Sequence, residues 1–380
     1  MDNLTHTLVG LAAAKAGLER LSPGATAVCL VAANAPDADV AALLGGGWFY
    51  LEHHRGITHS VVGTLALAAV VPALFYAAER ALARLRGRSP RARFGGLLIA
   101  SLLVSATHPL LDWTNNYGLR PLLPWDGRWY YGDLVFIIDP WLWLLLGGAA
   151  FLSTAGTRAR VMAWVAFALL LSVVVVSTLP RAGVPHAKLA AGLWLAGVAA
   201  FALTRLLLPH AMRGRAIPAA ALALVVAYWG ALAVFHSRAL DRAEAAARTV
   251  AGQGGETLRT VAAMPTLADP AGWLVVFDTD RATYRYTLRL NGDSAPAAAA
   301  AERFPKLQGA EAELVERARR EDEGARVFLG FARFPVARLA ERGCAAETLL
   351  QMADLRYTQP GATGRSGSGF SLELVVPANR

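Results

Sequence analysis

Cysteine is scarce in this chain of 380 residues, and the two present, Cys29 and Cys344, lie in different regions. One of them falls inside an apolar stretch, so no disulfide framework underlies the fold. Charge is scarce as well, at 17% of residues, with 28 acidic side chains against 37 lysines and arginines. With 55% hydrophobic residues and a mean hydropathy of +0.38, the chain is too apolar for an ordinary soluble enzyme. The start lacks a basic n-region and an A-x-A-type cleavage site, so a removed signal peptide is not expected. No internal repeat is evident.

What is present is long apolar runs, confined to the part before about Asp241. A hydrocarbon core of roughly 30 Å takes about 20 helical residues to cross. The spanning candidates are Ile57–Ala78, Phe94–Leu111, Ile137–Leu152, Val161–Leu179, Ala187–Leu207 and Ile217–Phe235. Two weaker stretches, Leu4–Leu18 and Ala25–Leu44, precede them, the second interrupted by Asn34, Pro36, Asp37 and Asp39. Broken helices of this kind are tolerated in a bilayer only where protein or a wet cavity surrounds the polar backbone. The expected fold is mainly α, a multi-pass transmembrane helical bundle with a C-terminal soluble α+β domain. Its expected parts are a metal-site region over 1–140, further transmembrane helices over 141–240 and the soluble domain over 241–380.

The net charge of +9 does not read as a nucleic-acid surface, and no nucleic acid is expected as a partner, because the arginines concentrate between spans. Arg80, Arg84, Arg86, Arg88, Arg91 and Arg93 form one loop, Arg158 and Arg160 another, and Arg205, Arg213 and Arg215 a third. Positive residues beside spans are retained on the cytoplasmic side. Placing all three loops inside puts the soluble tail on the periplasmic or extracellular side of a bacterial inner membrane. The same orientation brings four clusters of candidate ligands to the outer face, although the clusters played no part in choosing it.

Those clusters are His6, then Asp37 and Asp39, then His54 and His59, then His108 and Asp112. Ionisable groups at the edges of apolar runs are costly and mark functional sites. His108 and Asp112 are four apart, so on a helix they share a face and can reach one ion. His54 and His59 are five apart, about 140° around a continuous helix, and meet only if Arg55 and Gly56 form a loop. Asp37 and Asp39 need a bend, which Pro36 supplies. Imidazoles with carboxylates suit a divalent ion, zinc first and manganese or iron where oxygen ligands dominate. Seven ligands are many for one ion, so one or two ions are expected, the pair sharing a bridging aspartate.

The runs Asn34-Ala35-Pro36-Asp37-Ala38-Asp39, His54-Arg55-Gly56-Ile57-Thr58-His59-Ser60 and Thr107-His108-Pro109-Leu110-Leu111-Asp112-Trp113 occur in that order, with His6 ahead of them in Asn3-Leu4-Thr5-His6-Thr7. Together they resemble the membrane-bound metal-dependent hydrolase family, which includes the LexA-binding inner-membrane hydrolases of bacteria. The resemblance covers roughly residues 1–140. It implies an integral membrane protein with a metal-dependent hydrolytic site, and the ligand candidates it carries over are His6, Asp37, Asp39, His54, His59, His108 and Asp112. A LexA-binding role requires a cytoplasmic surface and is not expected of groups on the outer face.

Of the remaining polar residues, Arg55 offers a planar fork of donors for an anionic group such as a phosphate. Asn115, Asn116 and Tyr117 form a polar turn that Gly118 closes. Trp125, Trp129, Tyr130 and Tyr131 read as an interfacial belt or the entrance for a lipid-like substrate, and Asp133 and Asp139 as groups that orient ligand histidines. In the tail, Trp273–Phe277 and Thr283–Leu290 read as strands, Pro296–Phe304 and Glu311–Arg320 as helices, and Arg326–Phe331 and Phe370–Val376 as extended. No nucleophile–base set appears there, so the tail is expected to gate substrate or bind a partner that the sequence does not identify.

The expected function is a membrane hydrolase whose metal activates water near the outer face, with a carboxylate among Asp37, Asp39 and Asp112 as general base and Arg55 stabilising developing charge. Membrane lipids surround it, and a phosphoester or ester of a lipid-like molecule is the expected substrate. The alternative is a non-enzymatic protein that binds metal for transport or assembly, although transporters place ionisable groups near mid-membrane, often in repeated halves. The orientation predicts that a cysteine introduced at position 90 is labelled by a membrane-impermeant thiol reagent only after the cytoplasmic side is opened. Labelling from outside intact cells would invert the topology.

Overall fold

Oxygen-bearing side chains stand at the starts of several apolar helices. Asp2 accepts from Thr5 N, Ser60 from Gly63 N, Asp139 from Trp141 N and Leu142 N, and Thr157 from Arg160 N. Each pairs backbone donors that a first helical turn leaves open, an effect typically worth about 1 kcal/mol. The computed structural model describes residues 1–208, 214–292, 300–341, 347–362 and 369–377. His210, Arg213, Cys344 and positions 366–368 lie outside the described residues.

The helices that follow are α1 (Asn3–Ala16), α2 (Ala25–Asn34), α3 (Gly47–His53), α4 (Val61–Leu85), α5 (Phe94–Trp113), α6 (Pro140–Thr154), α7 (Arg158–Arg181), α8 (Ala187–Leu207) and α9 (Ala216–Gln253). Beyond α2 the chain continues as a 3-10 helix over Ala35–Gly45. Among the described residues, six segments are long and apolar enough to cross a membrane: Ala25–Gly45, α4, α5, α7, α8 and α9.

The expected span Ile137–Leu152 forms instead the 15-residue α6. It starts late because Asp139 caps it and Pro140 occupies its first position, where a proline has no donor to lose. At 1.5 Å per residue it rises roughly 22 Å, short of the hydrocarbon thickness. The Leu4–Leu18 stretch is likewise cut to the 14 residues of α1, which Gly17 ends at φ 155. Only 6% of the most apolar window of α7 and 11% of that of α8 are buried, leaving Leu169, Val173 and Leu193 exposed. Such faces are stable against lipid rather than water.

The chain divides into two units. The first comprises Met1–Ala38, Arg55–Val234 and Pro265–Pro270. In it α1 is shared by two apolar cores, one with α2 and α5 through Ala14, Cys29, Ala33 and Leu97, the other with α6 to α9 through Leu8, Leu146, Trp194 and Val225. Close approach of α1 to α2 depends on Gly10, where an added Cβ would stand 2.9 Å from both Ala33 Cβ and the Cys29 carbonyl oxygen.

The second unit comprises Asp39–His54, Phe235–Met264 and Ala271–Arg380. One sheet orders β1 (Leu258–Thr266), β2 (Asp269–Thr279), β3 (Ala282–Arg289) and β4 (Glu302–Pro305), and a second orders β5 (Pro335–Glu341), β6 (Glu347–Asp354) and β7 (Ser371–Pro377). Strands β2, β3 and β4 are antiparallel, with Phe277 opposite Tyr284 and Thr283 opposite Phe304, as are β5, β6 and β7. Ala239, Ala243 and Ala247 of α9 pack on Trp273, Phe277 and Tyr286. Met264, Val276, Val336 and Ala353 link the two sheets.

Two expectations for this unit are overturned. Glu302–Phe304, the described end of the stretch read as a helix over Pro296–Phe304, lies in β4 because its backbone completes the edge of β3; residues 293–299 lie outside the described residues. Arg326–Phe331, read as extended, belongs to helix α11 (Glu323–Phe331), which follows α10 (Ala310–Glu321). Asp322 caps α11 by accepting from Ala325 N, and Ala325, Phe328 and Phe331 fall on its buried face, a spacing of three that a six-residue window hides.

Glu256 sits at the start of this unit's sheet and accepts from Thr279 Oγ1 at 2.6 Å, Arg303 Nη2 at 2.8 Å and Tyr284 Oη at 3.1 Å. Burial alone would raise its carboxyl, but these donors and the Arg303 charge hold it below the ordinary 4.5. A depressed folded-state value contributes stability that is present above the unfolded value and lost as pH falls through the folded one. The melting temperature of the wild-type chain should therefore decline below about pH 4.5, and Glu256→Gln should flatten that part of the profile. Superimposable profiles would remove Glu256 from the acid transition.

Candidate metal centre

Two imidazole nitrogens and two carboxylate oxygens meet inside the first unit. Asp37, His59, His108 and Asp112 each offer one ligand atom, and these atoms lie within 4.8 Å of one another. His108 and Asp112 come from the same face of α5, with Nε2 and Oδ2 3.3 Å apart. Asp37 comes from the 3-10 continuation of α2, where the helix tightens at Ala35 and Pro36. His59 ends the short 3-10 turn Ile57–His59 that leads into α4.

The distances suit a small cation. His59 Nε2 lies 3.3 Å from Asp37 Oδ1 and 3.2 Å from Asp112 Oδ2, and His108 Nε2 lies 3.5 Å from Asp37 Oδ1. The two Nε2 atoms are 3.1 Å apart. A tetrahedral zinc ion with bonds of roughly 2.0–2.1 Å has donor–donor edges of roughly 3.3–3.4 Å. Polarity agrees with geometry. His108 Nδ1 is 2.6 Å from the Ala33 carbonyl, which can only accept, so Nδ1 carries a proton, and in the neutral ring Nε2 offers its lone pair toward the carboxylates. Asp112 Oδ2 and Asp37 Oδ2 are buried without a hydrogen-bond partner. Two imidazoles and two carboxylates at these distances fit a divalent metal.

The other oxygen of Asp112 faces positive groups. Arg55 Nη2 is 3.1 Å from Oδ1, and the Met1 α-amino group donates to the same atom. Arg55 is buried, and its Nη1 donates to Asn115 Oδ1 at 2.9 Å and to the Gly118 carbonyl at 3.3 Å, with the Tyr117 ring 4.7 Å from its guanidinium. Its backbone adopts φ 52, a conformation that non-glycine residues hold only when surrounding contacts impose it. The guanidinium is thus turned onto Asp112 and the turn after α5. Asn115 also accepts from Tyr117 N, so the polar turn serves Arg55.

His6 stacks on His108, ring centroids 3.8 Å apart, and its Nε2 is 3.4 Å from Asp112 Oδ1. Both of its nitrogens are buried without a hydrogen-bond partner, which makes it a neighbour of the four-donor group without membership in it. Asp39 and His54 are outside that group too. They belong to the second unit, where Asp39 Oδ1 and His54 Nδ1 are 2.9 Å apart. Asp139 is spent on α6 and on the Tyr228 hydroxyl, which donates to Oδ2 at 2.9 Å. Asp133 is buried at φ 53. The carbonyl of Ala33, which sets the His108 tautomer, carries no signal in the sequence because any residue supplies it.

Fold and site define a multi-pass membrane protein with a four-donor group able to hold a metal ion. Residues 1–184 match the family described as YdjM inner membrane protein, and that stretch contains all four donors. The chain is also similar to an uncharacterized protein of Bacillus subtilis (strain 168), YfhP, at 27% identity over 154 residues. That match covers 38% of this chain and 43% of the relative, so the chain spans less than half the length of the curated protein it resembles. No solved structure matches the chain.

Replacing Arg55 with methionine would leave a buried carboxylate without its guanidinium. Removing one partner of a buried pair typically costs about 3–5 kcal/mol. Arg55→Met should lower the melting temperature of the detergent-solubilised protein, whereas Arg128→Met, at an exposed pair, should leave it unchanged. Equal melting temperatures for the two variants would deny Arg55 this role.

Proposed function

We propose that the chain is an integral membrane metal-dependent hydrolase. The observation that carries this reading is the convergence of two histidine Nε2 atoms and two carboxylate oxygens at 3.2–3.5 Å, all four donor groups within 4.8 Å of one another. His59, His108, Asp37 and Asp112 would hold the ion, with zinc favoured by the two imidazoles and the tetrahedral edges. When bound, a divalent ion supplies Lewis acidity and makes water a nucleophile at neutral pH.

The chain's own residues divide the remaining tasks. Asp37 Oδ2 has no partner, and the Asp37 side chain is the least buried of the four donors, so it is placed to take the proton of an attacking water. Arg55 holds Asp112 in orientation. The Ala33 carbonyl fixes the His108 ring, a task whose loss typically weakens metal affinity 10–100-fold. The lipid-facing helices around the site favour a phosphoester or ester of a lipid-like substrate, and proton transfer from water to the carboxylate serves either bond.

The test is metal analysis of the purified protein alongside a hydrolysis screen on phosphoester, ester and amide substrates. Wild type should retain close to stoichiometric zinc, Asp37→Ala and His108→Ala should lose most of it, and turnover should vanish with the metal. Equal metal content in all three would sink the site. Bound metal with no turnover on any class would replace catalysis with a metal-binding role in transport or assembly.

A further inference from the structure

The chain between two of the proposed ligands does not fold with them. Asp37 and His59 belong to the first unit, whereas Asp39–His54, which lies between them in sequence, packs as part of the second. Helix α3 lies against α11, and Trp48 enters the core formed by Ala325, Phe328, Leu350 and Met352. Gly324 makes this seat possible: a Cβ there would stand 2.9 Å from Trp48 Cε2 and Nε1. Leu51 of α3 is buried as well, at 4% exposure.

The ends of this insert are joined to each other. Asp39 Oδ1 and His54 Nδ1 close its base at 2.9 Å, and the Tyr50 ring stacks on His54 with centroids 4.7 Å apart, linking the base to α3. Both ends are then short covalent steps from the metal centre. Ala38 alone separates Asp39 from Asp37, and His54 is followed directly by Arg55, whose guanidinium holds Asp112. A residue spans at most roughly 3.3–3.6 Å of chain, so these links have little slack with which to absorb a shift of the base.

We infer that Trp48 and the Asp39–His54 pair are positioning residues of the metal centre, through which the C-terminal unit sets how well Asp37 and Asp112 hold the ion. The inference rests on the reading of the four donors as a metal site. It gives Asp39 and His54 a role that is distinct from ligation. It also gives the C-terminal unit, which carries none of the four donors, a mechanical route to the chemistry: release of Trp48 from its seat frees the insert, and the freed insert no longer holds Asp37 and Arg55 in place.

The experiment is cobalt(II) titration of the full-length, detergent-solubilised protein, reading affinity and the intensity of the visible absorption that reports tetrahedral coordination. Wild type should bind, and Asp37→Ala should not; failure of either result rejects the metal site itself. With the site established, Trp48→Ala and Asp39→Ala should weaken cobalt binding at least about tenfold, the scale typical of lost outer contacts, and reduce the absorption. Trp48→Phe, which refills the apolar seat, should restore both. Asp39→Asn keeps an oxygen for His54 but is a poor ligand, so near wild-type affinity supports positioning, whereas a loss equal to that of Asp39→Ala overturns it in favour of ligation. Should Trp48→Ala melt the second unit, Asp39→Ala and Asp39→Asn decide the matter. Affinity within about twofold of wild type in Asp39→Ala, or in a folded Trp48→Ala, overturns the inference.

Discussion

Asp112 is a carboxylate almost without exposure to solvent, and the four-donor group is arranged around that fact. Withdrawing such a group from water costs several kcal/mol unless charge and hydrogen bonds are supplied in place. Arg55 supplies positive charge at Oδ1, where the Met1 amine also donates, while Oδ2 is left to two imidazole nitrogens. The division orients the group: one oxygen anchored, the other presented to the ligand set. Arg55 is in turn fixed by Asn115, the Gly118 carbonyl and the Tyr117 ring, so the turn after α5 takes part in the same arrangement.

Asp37, Arg55 and His59 reach the neighbourhood of this carboxylate through local departures from regular helix. The 3-10 continuation of α2 turns Asp37 inward, the positive φ of Arg55 reverses the chain, and the Ile57–His59 turn places His59 before α4 begins. Regular helix would scatter these side chains around their axes. Only α5 contributes two of the four donors, His108 and Asp112, from one helix. Irregular backbone at membrane depth survives where protein satisfies it, and here the Ala33 carbonyl pairs with His108 and the Arg55 carbonyl with Arg120 N.

Much of the fold is legible without coordinates because apolar run length speaks directly to helices. The runs at Val61–Leu85, Phe94–Trp113, Arg158–Arg181 and Ala187–Leu207 declare themselves, and α6 misleads only because its cap and proline start it late. The tail is harder. Tyr284 and Tyr286 alternate clearly in β3, yet β4 borrows its state from its neighbour and α11 presents its period only when Asp322 is included. At the site, the spacing of His108 and Asp112 shows one shared face, whereas His54 and His59, expected to meet across a break at Arg55 and Gly56, do not share the four-donor group although the helix does break there. Nothing local separates Asp37 from Asp39, or His59 from His54, since each pair has the same chemistry and nearly the same surroundings in sequence.

Composition and spacing alone determined that this is a membrane chain, that its ionisable groups gather at helix ends, and that imidazoles and carboxylates are its reactive inventory. These are properties of short windows, and transfer energies and helical periodicity act within short windows. Which of the seven candidates converge was decided by tertiary structure. The deciding contacts join residues dozens of positions apart: Arg55 to Asp112, His59 to His108, and Trp48 to the core around Phe328. They sort Asp37 and His59 into one unit and Asp39 and His54 into the other, where α3 packs.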